Sequence, residues 1–132
     1  MKCITLKQPY ADLLASGKKT IEIRKWNTHF RGHFLIHASK NVNMDACSAL
    51  GFDENKIVKG AIIGKAFLYD IIRYATMDVF LRDRHKPFLI ADIKSNNSFK
   101  RYGFLVKDPV KFREEITYSG KLGFFEVSDL NI

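Results

Sequence analysis

The sequence predicts an α+β domain, a small β-barrel decorated with two or three short helices. Three observations point there: short runs rich in Ile, Val, Phe and Tyr, glycines inside those runs, and brief helix-patterned stretches set between them. A glycine within a strand marks a bend or a barrel corner, where a side chain would obstruct the turn. Propensity alone leaves an open α+β sheet as the alternative topology. The 132 residues suffice for a single domain, 1–132, whose core needs neither a disulfide nor a structural metal.

Lys2-Cys3-Ile4-Thr5-Leu6 alternates as a short strand. A helix follows, in which Pro9 suits the first turn, Tyr10, Leu13 and Leu14 recur at helical spacing, and Gly17 supplies the stop. It delivers the chain to a strand running through Lys19 and Arg24. A turn at Asn27-Thr28 and a break at Arg31-Gly32 precede the strand His33-Phe34-Leu35-Ile36-His37-Ala38. Asn43 caps a short helix that reaches Leu50 and stops at Gly51. From 57 to 74 the chain is rich in β-formers with Gly60 and Gly64 inside, which fits a long, bent strand. Thr76 caps a helix over 76–84 with Met77, Phe80 and Leu81 on one face. No element is assigned to 86–98. Residues 102–106 form a strand, Asp108-Pro109 a turn, and 122–127 a closing strand.

The net charge of +8 and a pI near 9.6 favour polyanionic partners, nucleic acid first among them. The basic residues are spread through the chain, so only folding decides which share a face. No apolar run approaches the roughly 18 residues that span a bilayer, and the sequence opens into a strand rather than a signal peptide; no membrane partner is expected. Cys3 and Cys47 have neither metal-knuckle nor redox spacing, which points to a reducing compartment and a cytoplasmic protein. No cofactor is expected, and protein partners are not legible.

The densest chemistry lies in Gly17-Lys18-Lys19-Thr20-Ile21-Glu22-Ile23-Arg24. Read as a strand, Ile21 and Ile23 face a core while Thr20, Glu22, Arg24 and Trp26 face the other way. An acid and a guanidinium then stand about 7 Å apart along the strand. Such a pair is either a site or a surface ion pair. In ideal alternation Lys19 faces away from both, so a bend after Gly17 or its long stem must bring it round. His29, His33 and His37 recur every fourth residue, but along a strand they would spread over more than about 20 Å; no metal is expected.

The spacing Gly17-x-Lys19-x-x-Glu22-x-Arg24 resembles the signature of the ASCH domain, a relative of the PUA domain of RNA-modifying enzymes. Gln8-Pro9-Tyr10-Ala11, Trp26, the Arg31-Gly32 turn with Ile36-His37-Ala38-Ser39-Lys40, Tyr102-Gly103-Phe104 and the segment 120–127 resemble that family too, in its order. The resemblance implies a PUA-like β-barrel with a cleft between barrel and helix. It also implies RNA binding, and, by likeness to some small members, removal of the acyl group from acetylated cytidine or ribonuclease activity. In a binding site Arg24 offers a planar fork, Lys19 a point charge and Glu22 an acceptor for an exocyclic amine. Trp26 is a candidate for base stacking, Gln8 and Tyr10 for the rim, His37 for the cleft wall or a buried backbone partner, and Lys40 and Lys121 for phosphate contact. In an enzyme Lys19 would be the base, assisted by Glu22 or Thr20. The acyl-removing members carry a threonine nucleophile where this chain has Glu22, and a carboxylate is no ordinary substitute for that hydroxyl.

Overall fold

The computed structural model describes residues 1–83 and 100–128. The stretch 86–98 and the helix end expected at Arg84 lie outside them. The central strands carry apolar side chains on both faces, because each face meets a separate cluster. In β1 (Lys2–Gln8), Ile4 and Leu6 enter the main core while Cys3 enters a smaller one on the opposite side. In β3 (Gly32–Val42), Phe34, Ile36 and Ala38 join the main core and Leu35 the smaller one. Such two-sided burial explains the unbroken Phe34-Leu35-Ile36 run.

Helix α1 (Tyr10–Ala15) lays Ala11, Leu13, Leu14 and Ala15 into the main core. Gln8 fixes its start: the side-chain oxygen accepts from the Asp12 amide at 2.9 Å, and the side-chain nitrogen donates to the Val58 carbonyl at 2.9 Å. Helix α2 (Met44–Leu50) is capped as its sequence predicts, with Asn43 accepting from the Ala46 amide and Gly51 left-handed at φ 79°. Strand β4 (Ala61–Arg73) then crosses under α1. Its bend falls at Gly64, where a Cβ would lie 3.0 Å from the Ala15 Cβ and collide with the Val110 carbonyl oxygen. Helix α3 (Met77–Asp83) begins at Thr76, whose hydroxyl accepts from the Val79 amide at 3.3 Å.

Strand β5 (Tyr102–Thr117) corrects the expected turn at Asp108-Pro109, because the strand runs straight through it. Lys65 pairs with Val110 and Phe67 with Lys107, so two steps along β4 match three along β5. The extra residue is a bulge, and Asp108 takes φ 52° within it. Proline is tolerated at such a point because no ladder donor is required of it.

With β2 (Ile21–Arg24) and β6 (Phe124–Glu126), the six strands form one mixed sheet in the order β2-β5-β4-β3-β1-β6, in which β1 and β3 are parallel and the other pairs antiparallel. Among the described residues β2 and β6 remain as edges, so the sheet is open where a closed barrel was expected. Edge strands of four and three residues leave little unpaired backbone. No helix among the described residues is long and apolar enough to cross a membrane.

Candidate functional site

The end of α1 shapes the site. Gly17 takes φ 82°, a left-handed turn open to glycine, and the Lys19 amide reaches back to the Leu13 carbonyl at 3.0 Å. This wrap ends before β2 begins, so strand alternation never governs Lys19. Its side chain folds inward and is 2% exposed. The Lys19 Nζ donates to the Ile21 carbonyl at 2.6 Å and lies 3.4 Å from Glu22 Oε1. Arg24 approaches the other carboxylate oxygen, with Nε at 2.9 Å and Nη2 at 2.8 Å from Glu22 Oε2. The same Nη2 donates to the Thr5 carbonyl at 2.9 Å and ties β2 to β1.

A carboxylate held between two cations is the electrostatic centre of the site. Burial alone would raise the Glu22 carboxyl, but Arg24, then Lys19 and Lys100, outweigh it and hold the group below the usual carboxylate value. Burial pulls Lys19 below the ordinary lysine value, and Glu22 offsets part of that pull. The Ile21 carbonyl and the Glu22 carboxylate, both acceptors, each favour an amine that keeps its protons. A carboxylate offers about four acceptor positions, of which these neighbours take three. Among the described residues, one on Oε1 is left to face a ligand.

The cluster lines a cavity of about 240 Å³, together with Thr5, Lys7, Tyr10, Ser39 and Lys100. That is smaller than the roughly 300–1,000 Å³ of pockets enclosing drug-sized ligands, so it suits one flat heterocycle better than a whole nucleotide. The expected residues therefore divide. Lys19, Glu22, Arg24 and Tyr10 meet here, whereas Thr20 is exposed and outside the cavity. Trp26 packs edge-on against Phe104 at 5.2 Å and Phe124 at 5.7 Å, extending the main core. Gln8 is wholly buried in its capping role. His37, 2% exposed, places Nε2 2.6 Å from the Tyr118 carbonyl, to which it donates, leaving Nδ1 to accept from the Thr5 hydroxyl at 3.1 Å. Lys40 and Lys121 are exposed and line a separate cavity beside the first. His29 and His33 are exposed, and no group of three metal-ligating side chains occurs among the described residues.

Thr5, Lys7, Ser39 and Lys100 were not among the expected site residues. Thr5 and Lys7 share one face of β1 by alternation, a signal present in the sequence. Ser39 lies inside the family-like stretch His37-Ala38-Ser39-Lys40. Lys100 precedes β5 by two residues, and no local pattern connects it to Glu22.

A mixed sheet clasps α1, with a lysine, a glutamate and an arginine gathered where that helix hands over to an edge strand, an arrangement of the PUA-like class to which the ASCH domain belongs. The ASCH domain profile matches residues 4–108, and the chain belongs to the ASCH domain family. No curated protein matches it by sequence. The crystal structure of ASCH from Zymomonas mobilis superposes with a TM-score of 0.65 at 18% identity, covering 97% of this chain and 87% of that one. A tyrosine-to-phenylalanine variant of the Zymomonas mobilis protein gives a TM-score of 0.66 at 17% identity, over 97% and 90% of the two chains. A serine-to-alanine variant gives 0.66 at 18%, over 97% and 88%. At these identities the likeness is one of fold.

Proposed function

We propose that this protein is an RNA- or nucleotide-binding module whose basic cleft, built on Lys19, Glu22 and Arg24, receives a base. The observation that carries the reading is the Glu22 carboxylate, ionised between Lys19 and Arg24 on the wall of a cavity of about 240 Å³. Its remaining acceptor position fits an exocyclic amine on a base edge, and Lys7 and Lys100 on the same wall favour a polyanion. The ASCH family is thought to bind RNA, and the net charge of +8 agrees with such a partner. The two free, buried cysteines fit a reducing, cytoplasmic setting.

A second reading draws on the burial that lowers Lys19: a small hydrolase acting on a modified nucleoside such as acetylated cytidine, or a ribonuclease, with Lys19 as base and Glu22 assisting. It ranks below binding because Lys19 is engaged as a donor on two acceptors and Thr20 lies outside the cavity.

Titration of a short labelled single-stranded RNA at two salt concentrations, with recovery of the RNA afterwards, tests the choice. The binding reading expects affinity that falls with salt, intact RNA, and at least tenfold weaker binding by Glu22→Gln. RNA cut by the wild type and spared by the variant would move the function to hydrolysis. No binding at low salt would remove the RNA partner.

A further inference from the structure

The base-sized cavity has a neighbour, and the two share a wall. A second cavity of about 420 Å³ has Thr5 and Ser39 in common with the first, and beyond them Lys40, Tyr118, Ser119 and Lys121. The shared wall follows from the sheet, since β1 and β3 run in parallel with Thr5 opposite His37 and Leu6 opposite Ala38. Thr5 and Ser39 thus stand on adjacent strands, where each can face both spaces.

The second cavity is assembled by specific contacts. The buried His37 ring donates to the Tyr118 carbonyl at 2.6 Å and anchors the segment that supplies the far wall. Gly120 rests directly on the Thr5–His37 pair: a Cβ there would come within 2.7 Å of the Thr5 hydroxyl and 2.9 Å of His37 Cε1. Any larger residue would have to push this wall outward. On the opposite side the Lys40 stem lies across Gly60, where an added Cβ would be 3.2 Å from Lys40 Cγ. Two lysines and the hydroxyls of Ser39 and Ser119 therefore line one space. Among the described residues no carboxylate lines it. An unbalanced positive cavity with neutral donors suits a multiply charged oxyanion, and phosphate is the form attached to a base.

We propose that the two cavities are one bipartite site: the Glu22 cavity takes a base, and the Lys40–Lys121 cavity takes the phosphate joined to that base's sugar. The ligand class is then a nucleotide, free or within an RNA strand, and not a nucleoside. Small size and an acceptor carboxylate on one side, and two lysines with no carboxylate on the other, assign the two parts of the ligand in this order. The inference rests on the base-binding reading above and adds the requirement for phosphate.

The test is calorimetric titration of the purified protein with the four ribonucleosides, their 5′- and 3′-monophosphates, and inorganic phosphate. The bipartite site predicts that at least one monophosphate binds tenfold or more tighter than its nucleoside. The exposed pair Lys40→Ala/Lys121→Ala, whose unchanged melting temperature verifies folding, should bring that monophosphate down to the nucleoside's affinity. A nucleoside that binds as tightly as its monophosphates, or a preference that survives the double variant, would overturn the inference while leaving the base reading intact. Inorganic phosphate bound as tightly as any monophosphate, sensitive to the lysine pair and indifferent to Glu22→Gln, would overturn the base reading and the bipartite site with it. No binding by any of these probes would overturn both.

Discussion

Glu22 neutralises Lys19 from one side and aligns Arg24 on the other, and Arg24 in turn ties β2 to β1. Removing it strands a buried ammonium. Removing Lys19 is milder, because Glu22 keeps Arg24. Glu22→Ala should therefore destabilise by about 3 kcal/mol, near the lower end of the range for breaking a buried pair, and Lys19→Met by clearly less; urea unfolding of the two variants measures the difference. Acid should act through the same carboxylate and through His37. Both groups have folded pKa values below their unfolded ones, so on acidification the unfolded chain takes up each proton first. The contribution of His37, buried and neutral, is complete above about pH 6.5 and is lost below it; that of Glu22 is complete above about pH 4.3 and is lost below that. Melting temperatures across pH 3–8 should fall in two stages, and His37→Gln should flatten the upper one. A single stage unaffected by that variant would contradict the buried, neutral histidine. The Lys-Glu-Arg cluster was legible in sequence because its spacing is local. The inward turn of Lys19 was legible only as a requirement, since it depends on the φ of Gly17.

At the scale of elements, α1, β4 and β5 cross where the helix ends. Gly64 sits at that crossing with Ala15 and the Val110 carbonyl against its Cα hydrogens. Gly64→Ala should destabilise by about 1–3 kcal/mol, as overpacked substitutions do, readable as a lower urea midpoint with an unchanged slope. A neutral result would mean that the strands separate easily there. The caps of α2 and α3 and the stop of α1 could be read from Asn43, Thr76 and Gly17 because capping is chemistry within a few residues. Strand β5 could not be read past Val106. Asp108-Pro109 carries the residue preference of a turn, and only the register against β4 makes it a bulge. The packing of Trp26 was illegible for a similar reason, because its partners Phe104 and Phe124 are supplied by strands far along the chain.

Over the whole molecule, a charge of +8 favours encounter with polyanions, and the cavity beside Lys7, Lys19, Arg24 and Lys100 is one place where positive charge meets a shaped space. Composition announced the charge; the sheet order decided which bases converge. Closure of the barrel was expected from the glycine-marked bends, yet bending a sheet does not pair its edges, and β2 and β6 stay apart in the strand order. The central claim is that a base enters the cavity at Glu22. Backbone amide NMR of the labelled protein during titration with a short single-stranded RNA tests it residue by residue. Shifts concentrated on the amides of Ile21 to Arg24, Thr5 and Ser39, and abolished by Glu22→Gln, are the predicted result. A saturable footprint elsewhere on the sheet that leaves those amides unmoved would contradict it.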